Sequence, residues 1–397
     1  RRSSDLLRLF GQFHQIVLFD KSTPRKVHLL GVFAIERAML QTPEREVIME
    51  INSSKLSAFE SGTPIREATE SNLPPGDEFT PSVGIVFEND AWLSPLFEAM
   101  KTAGIPYEPI DVRTHTFDIL HARKHILYLN RVSPSSYLRG NDGAISHAHA
   151  LLASLEASGT QVVNGSRSFR LETSKVAQQL LMNNLGVDVP RTHVVSSCDA
   201  VREIIDKLVF PLILKPDTGG SGAFVKRIEN EEHLLTLLDD ENVFAPGHLM
   251  LLQELVVSED GAIARVEFVD GELLFAMKVI PQNTFNLCPA EACPRNPIEE
   301  GVEPDAIFEP WPDVPEDAVA QAREILRASQ LDIGGVEWMD TADGRRCFID
   351  INATSVYRED IQKATKVNGF LKVCEYLARE LAKEDAKTPN KRWRRGV

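Results

Sequence analysis

The chain has 397 residues, of which 43% are hydrophobic and 25% are charged, as is typical of a globular protein with a sizeable core. Its formal net charge of −15 argues against general binding to nucleic acids or to a membrane surface. No apolar run approaches the roughly 18 to 20 residues of a membrane span, and the five widely spaced cysteines argue against a disulfide framework. We therefore expect a reduced, cytoplasmic protein with no nucleic-acid or membrane partner.

The first half of the chain contains two different kinds of segment. In the first, the sequence predicts strands at 15–19 and 46–51 with a helical stretch near 33–40, and it indicates no chemistry. After a proline-rich connection, it predicts strands at 83–87, 105–110, 125–130 and 161–163, alternating with helices at 91–104 and 142–158. This alternation is typical of a parallel sheet covered by helices.

The pattern changes after residue 164. A long helix is predicted at 169–185, followed by strands at 192–195, 211–215, 224–228, 249–256, 263–269 and 272–280. Helices are predicted at 316–330 and 367–381, and an acidic hairpin lies between them at 335–352. The short basic tail at the end of the chain is interpreted as a solvated terminus.

The acidic hairpin is the most informative feature of the sequence. Asp343-Gly344 between two apolar runs predicts a two-residue turn, which pairs Met339 with Phe348 and Glu337 with Asp350. Asn352 then shares a face with Asp350, because side chains alternate along a strand. Two carboxylates opposite each other repel unless a cation lies between them, and oxygen ligands on a rigid face suit Mg²⁺. The alternative is a solvent-facing hairpin with incidental acids.

Other features carry a weaker signal when each is taken alone. A strand that ends in Lys215 runs into a glycine-rich loop, which is able to cradle phosphates but is also compatible with a plain hairpin turn. Lys175 lies in the predicted long helix, where a lysine is usually a solvated charge and not part of a site. Gln253 and Glu254 interrupt an apolar strand, which is compatible with hydrogen bonds to a purine and equally with a plain edge strand. Arg265 lies among apolar neighbours, where a buried guanidinium needs an anionic partner, either a ligand or a structural carboxylate.

Taken in this order, these features resemble the ATP-grasp superfamily, and within it the RimK-type amino-acid ligases. The resemblance covers about residues 164–382, and the α/β segment before it is similar to the family's pre-ATP-grasp domain. It implies an α/β protein in which two α+β subdomains clasp ATP after a parallel-sheet domain. The expected divisions are 1–75 (role unknown), 76–163 (pre-ATP-grasp), 164–247 (first subdomain with a glycine-rich lid), 248–385 (second subdomain with a metal site) and 386–397 (tail).

The resemblance also implies a role for individual residues. Arg265 and Lys278 would be catalytic, with Arg265 steadying the transferred phosphoryl group and a later oxyanion. Binding of one or two Mg²⁺ ions would fall to Glu337, Asp350 and Asn352. The residues implied to bind ATP are Lys175 and Lys215 at the phosphates, Gly219, Gly220, Ser221 and Gly222 in the lid, Gln253, Glu254 and Val256 at the adenine, and Asp260 at the ribose.

The implied activity is ATP-dependent joining of a carboxylate to an amine through an acyl phosphate, on small-molecule or peptide substrates, with a homodimer possible. The sequence departs from the family pattern at two places, of which the first concerns the metal and the second concerns the substrate. Asp350 stands where the family usually has Glu, and Asn352-Ala353-Thr354-Ser355 replaces the usual Asn-x-x-Pro-Gly ending. The alternatives are a kinase of the same superfamily and a nucleotide-binding protein without turnover.

Overall fold

The computed structural model describes residues 80–119, 122–220, 222–239, 249–282 and 306–387, together with the backbone of two short strands near the start of the chain. The chain divides into two compact units, Arg1–Pro75 and Gly76–Val397. In the first unit, β1 (Ile16–Phe19) pairs antiparallel with β2 (Lys26–Leu29). β1 was predicted and β2 was not; the predicted elements at 33–40 and 46–51 lie outside the described residues.

The second unit begins with a parallel sheet in the order β4-β3-β5-β6. Its strands are β3 (Thr80–Phe87), β4 (Tyr107–Asp111), β5 (His125–Asn130) and β6 (Gln161–Val163), and its first helices are α1 (Asp90–Ala103) and α2 (Ala144–Ala157). The chain leaves β3 toward one side and β5 toward the other, so a crevice opens beyond their carboxyl ends. Glu88 and Arg131 directly follow these two strands.

An antiparallel sheet follows in the order β7-β10-β8-β9. It consists of β7 (Thr192–Val195), β8 (Leu212–Pro216), β9 (Lys226–Ile228) and β10 (Met250–Glu254), with the short helices α5 (Cys198–Arg202) and α6 (Glu231–Leu238) on one face. Leu212 and Leu214 pack under these helices. Because side chains alternate, Ile213 and Lys215 point to the other face. The sequence did not predict α5 or α6.

A second antiparallel sheet has the order β13-β12-β11-β14-β15. Its strands are β11 (Ile263–Val269), β12 (Glu272–Pro281), β13 (Ala306–Pro310), β14 (Ile333–Asp340) and β15 (Arg346–Asn352), and α7 (Glu316–Ser329) covers one face. After α8 (Glu359–Thr365), the last described helix, α9 (Gly369–Ala386), packs against α1 and β5. It therefore joins this sheet to the parallel one through a shared apolar core.

The long helix predicted at 169–185 is wrong, because the structure contains two helices, α3 (Ser166–Glu172) and α4 (Lys175–Asn184). Ser174 adopts an extended backbone conformation, and its hydroxyl accepts a hydrogen bond from the Ala177 N–H at 3.2 Å. Asp217, just after β8, accepts a second bond from the Val176 N–H at 2.9 Å. These caps start a new helix at Lys175 and hold it against the end of β8.

The predicted register of the acidic hairpin is correct at the acids and wrong nearer the turn. Thr341 and Arg345 close a three-residue loop in which Gly344 has φ of 83°, whereas a two-residue turn was predicted. Trp338 consequently pairs with Phe348, and a bulge at Ile349 restores the pairing of Glu337 with Asp350. Because of the bulge, Phe348 enters the core whereas Asp350 faces the opposite side.

The predicted fold class is confirmed: the α/β chain has a four-stranded parallel sheet followed by two antiparallel sheets. Among the described residues, no helix is both long enough and apolar enough to span a membrane.

Candidate functional site

A deep cleft lies between the two antiparallel sheets and reaches the carboxyl ends of the parallel strands. Its empty space, including the part that is open to solvent, amounts to about 1420 Å³. The predicted site residues on its wall are Lys175, Lys215, Gly219, Gly220, Gly222, Gln253, Glu254, Val256, Arg265, Glu337, Asp350 and Asn352. Ser221 lies outside the described residues.

The hairpin brings two carboxylates and an amide together on the cleft face. Glu337 pairs directly with Asp350 across the ladder, and the Asn352 Nδ2 donates to the Glu337 Oε1 at 3.2 Å. Burial raises the pKa of Glu337, the negative charge of Asp350 raises it further, and Arg265 opposes both. A cation bound between the two acids would favour their charged forms and oppose this rise in the pKa of Glu337.

Two lysines face these acids from the other sheet and its neighbouring helix. The Lys175 Nζ lies 3.0 Å from Oδ1 and 3.1 Å from Oδ2 of Asp350. Lys215 is buried at the end of β8, where burial and the positive charge of Lys175 lower its pKa to about 7. An anion bound between the two ammonium groups would relieve their repulsion and restore the charge on Lys215.

Arg265 is fixed by two carboxylates. Its Nε donates to Glu267 at 2.7 Å, and its Nη1 donates to Glu337 at 2.6 Å. Burial alone would lower the pKa of Arg265, but Glu267 and Glu337 outweigh it and raise the pKa, so the guanidinium stays charged. Glu267 lies over Gly335, where a Cβ atom would meet its Oε2 at 2.8 Å. The Arg265 head group is therefore held rigidly at the cleft wall.

The glycine-rich segment packs close to the loop that follows β5. A Cβ atom at Gly219 would meet the Tyr137 hydroxyl at 2.9 Å, and one at Gly220 would meet the Ser135 Cβ at 3.5 Å. Gly222 has φ of 69°, a conformation that favours glycine. Beyond it, the Phe224 ring stacks on Tyr137 with the centroids 6.3 Å apart. Glycines thus allow the backbone to cross the mouth of the cleft.

The end of β10 forms a third wall. The Gln253 Nε2 donates to the Thr192 Oγ1 at 2.9 Å, and Glu254 forms an ion pair with Arg345 at 2.7 Å. Burial raises the pKa of Glu254, but Arg345 outweighs it and the net pKa is lowered. The Glu254 side chain is thus engaged with the hairpin turn, and Val256 lines the cleft just beyond it.

The structure does not bring Lys278 or Asp260 into the cleft. Lys278 pairs with Ala264 across the sheet, so it lies on the face opposite to Arg265. It forms an ion pair with Asp260, and its Nζ lies 5.0 Å from the centroid of the Trp311 ring. Strand alternation thus places the Lys278 side chain away from the acids, and its catalytic role stays a prediction that this geometry does not favour. Asp260 is held by Lys278 outside the cleft wall.

Sequence reasoning missed a buried polar group next to the hairpin. Glu172, the last residue of α3, lines the cleft, and its Oε1 accepts bonds from the backbone N–H groups of Ala353 and Thr354 at 3.0 and 2.8 Å. On the other side, Arg131 donates to the carbonyl oxygens of Ala353 and Ser355. The available signals were the Asn130-Arg131 pair after a buried strand and an acid at the end of a helix, where acids are disfavoured.

The donor set fits Mg²⁺ only if a ligand completes it. Within the described ranges, no cluster of three or more His, Cys, Asp or Glu side chains is arranged to hold a metal. Glu337, Asp350 and Asn352 supply oxygen atoms on one rigid face, and Mg²⁺ usually takes one or two carboxylates together with substrate phosphates and water. The nearby lysines favour such phosphates.

Comparison with known proteins agrees with this geometry. Residues 173–290 match the family model of the RimK-like ATP-grasp domain. D-alanine–D-alanine ligase of Glaesserella parasuis is 28% identical over 193 residues, which are 48% of this chain and 59% of the relative. The alpha-aminoadipate–LysW ligase LysX of Sulfurisphaera tokodaii is 25% identical over 244 residues, 59% of this chain and 77% of the relative.

Among solved structures, the ATP-grasp ligase PsnB complexed with minimal precursor, Mg and ADP superposes with a TM-score of 0.52 at 16% identity, covering 76% of this chain and 98% of PsnB. This likeness shows that the chain shares the fold of that ligase. More narrowly, the chain carries a RimK-like ATP-grasp domain, and its distant relatives are ATP-grasp ligases. The aligned part spans little more than half of the first of these relatives.

Proposed function

We propose that this protein is an ATP-dependent ligase that joins a carboxylate to an amine through an acyl phosphate and releases ADP and phosphate. The observation that carries the proposal is the convergence in one cleft of Lys175, Lys215, Arg265 and the acid pair Glu337–Asp350. Cations and acids placed around a triphosphate provide the positioning and charge neutralisation that phosphoryl transfer needs.

Each group has a distinct proposed role. Lys175 and Lys215 hold phosphate oxygens, and Glu337, Asp350 and Asn352 hold Mg²⁺, which supplies charge neutralisation at the phosphates when it is bound. The end of β10 receives the adenine at the backbone of Glu254 and Val256. Arg265 is fixed by Glu267 and aimed at the cleft, so it stabilises the phosphoryl group and then the oxyanion that forms when the amine attacks.

The glycine-rich segment is proposed to act as the lid. Its backbone crosses the cleft near Ser135 and Tyr137, and closure there would keep water from the acyl phosphate. No nucleophilic side chain is required, because the phosphate itself activates the substrate carboxylate.

The amide-forming activity is tested with hydroxylamine as a general amine. Carboxylic acids, including the amino acids and short peptides, are incubated with ATP, Mg²⁺ and hydroxylamine, and hydroxamate and ADP are measured by mass spectrometry. A ligase yields hydroxamate and ADP in equal amounts with its acid. A stable phosphoester in place of hydroxamate would identify a kinase, and nucleotide binding without ADP release would contradict turnover.

The nature of the substrates is also part of the proposal. Two relatives are named as ligases of D-alanine with D-alanine and of alpha-aminoadipate with LysW, and the similar structure of PsnB has been solved with a precursor peptide. We propose amino acids or peptides for this chain as well, held where the cleft meets Trp92, Ser133 and Ser135.

A further inference from the structure

Glu172 differs from every other buried acid near the cleft in how it is neutralised. Glu88 is paired with Arg139, and Glu267 is paired with Arg265. Within the part of the chain that the structure describes, Glu172 forms no ion pair, although its side chain belongs to a residue that is only 5% exposed. A buried carboxylate that no cation contacts directly is costly, so one lining a cleft points to a ligand.

The two oxygen atoms of Glu172 have different environments. Oε1 accepts from the N–H groups of Ala353 and Thr354 and from the Thr354 hydroxyl. Oε2 is buried and has no hydrogen-bond partner among the described residues. One oxygen therefore positions the segment that follows Asn352, and the other is left with unused acceptor capacity.

Local structure gives no other reason for an acid at this position. Glu172 is the last residue of α3, and the negative end of the helix disfavours a carboxylate there. Burial raises the pKa of Glu172 to about 7, even though the bonds from Thr354 and Ala353 and the positive charge of Arg131 oppose the shift. An incoming N–H donor at Oε2 would favour the carboxylate form.

The position of Glu172 relates it to the reacting groups. It lies three residues before Lys175, which contacts Asp350, and it binds Thr354, two residues beyond Asn352. Trp92 lines the same cleft from α1, and its Nε1 is a buried donor without a partner among the described residues. The cleft therefore offers an unused acceptor and an unused donor, which suits a molecule that carries an amine together with a carbonyl or carboxylate group.

We infer that Glu172 binds the amine substrate, with Oε2 accepting a hydrogen bond from a primary ammonium or amine group placed beside the acyl phosphate. The inference rests on the proposed ligase function and adds to it the site of the amine. Glu172 would then select substrates with at least one free N–H, and it would do so without contact to the nucleotide.

Methylammonium is the simplest probe of this site. ¹³C-labelled methylammonium is titrated into the full-length protein with and without AMPPNP and Mg²⁺, and binding is followed by saturation-transfer NMR. Tetramethylammonium, which has the same charge and no N–H, is the comparison ligand. We expect saturable binding of methylammonium and at least about tenfold weaker binding of tetramethylammonium, corresponding to the loss of roughly one charge-assisted hydrogen bond.

The variant Glu172→Gln distinguishes the roles of the two side-chain oxygen atoms. The Gln carbonyl oxygen still accepts from Ala353 and Thr354, whereas the NH₂ group that replaces Oε2 cannot accept a bond. We expect methylammonium binding to fall at least about tenfold in this variant, with AMPPNP affinity unchanged. Glu98→Gln, the same change at an exposed position, should bind the probe as the wild type does.

The outcomes separate this inference from the proposed function. Unchanged probe affinity in Glu172→Gln, or equal affinity for the two cations in the wild type, would overturn the amine site while leaving the ligase proposal in place. Failure of the wild type to bind AMPPNP with Mg²⁺ would instead count against the ligase. If Glu172→Gln does not fold, a wild-type crystal complex with methylammonium decides, because the nitrogen must lie within hydrogen-bonding distance of Oε2.

Discussion

The Lys175 Nζ lies 3.0 Å from the Asp350 Oδ1, so the first residue of α4 is bonded to a strand that comes 175 residues later in the chain. Each partner is positioned by local structure. Ser174 and Asp217 start the helix at Lys175, and the bulge at Ile349 turns Asp350 toward the cleft. The contact therefore depends on a helix cap and a strand irregularity rather than on the two charged residues alone.

Asp350→Asn is expected to abolish turnover while leaving the protein folded. The amide keeps the shape of the side chain but removes the charge that pairs with Lys175 and, in our proposal, with Mg²⁺. ADP release measures the activity, and thermal unfolding measures the fold. Asp343→Asn, the same change at an exposed position in the hairpin turn, should retain activity. Normal turnover in Asp350→Asn would contradict the metal assignment.

ATP binding at pH 8 is expected to take up a proton at Lys215. The pKa of Lys215 is lowered to about 7, so the free protein holds this amine mostly neutral at pH 8, and the phosphates of ATP would raise that pKa. Calorimetry in buffers of different ionisation enthalpy measures the uptake. It should vanish near pH 6, where the amine is already charged.

Lys215→Arg tests the assignment of that proton. Arginine keeps its charge throughout this pH range, so the variant should bind ATP without proton uptake. Equal uptake in the wild type and in this variant would show that another group takes the proton. In the free protein, the unfolded chain keeps the Lys215 proton up to about pH 10.5, whereas the folded chain loses it near pH 7. Between these two values this residue therefore makes the free energy of unfolding rise with pH.

Asn164→Ala is expected to lower the free energy of unfolding by roughly 2–4 kcal/mol. The buried amide donates to the Ile333 carbonyl at 2.7 Å and to the Ala353 carbonyl at 3.1 Å, and its oxygen accepts from the Ile333 N–H. Its loss leaves these groups without partners. Urea unfolding measures the effect. Asn183→Ala, at an exposed helical position, should change stability little, and a similar loss in both variants would refute this account.

Gly335→Ala is expected to reduce turnover as well as stability. The new Cβ would lie 2.8 Å from the Glu267 Oε2 and 2.9 Å from the Val266 carbonyl oxygen, so Glu267 must move and release Arg265. We expect a cost of about 1–3 kcal/mol in unfolding and a lower kcat. Gly143→Ala, where a Cβ meets nothing within 4 Å, is the control. Unchanged kcat in Gly335→Ala would show that Glu267 does not position Arg265.

The sequence was sufficient for the features that depend on local pattern. Alternating apolar runs predicted the parallel sheet, and β5 and β11 were placed at the residues where the structure has them. The pairing of Glu337 with Asp350 was also predicted, but the turn beside it was predicted with two residues instead of three. The pairing is correct nevertheless, because a bulge compensates for the longer loop. The longer loop and the bulge cancel each other, so the sequence pattern alone reveals neither of them.

Features that depend on distant contacts were not accessible from the sequence. Lys278 follows an apolar run as Lys215 does, and only the pairing of β12 with β11 shows that it lies on the wrong face of the sheet. Glu172 and Arg131 look like ordinary charged residues of a helix end and a loop. Their importance appears only when residues 353–355 pass between them, more than 180 positions beyond Glu172.

The extra residue Ile349 also has a consequence for comparing sequences of this kind. Because it stands outside the ladder, a strand lacking it would still place Trp338 against Phe348 and Glu337 against Asp350. Homologous hairpins one position shorter here would therefore present the same acids. An alignment that forbids a gap at this point would misplace one of the two acids, so a gap should be allowed at the position of the bulge.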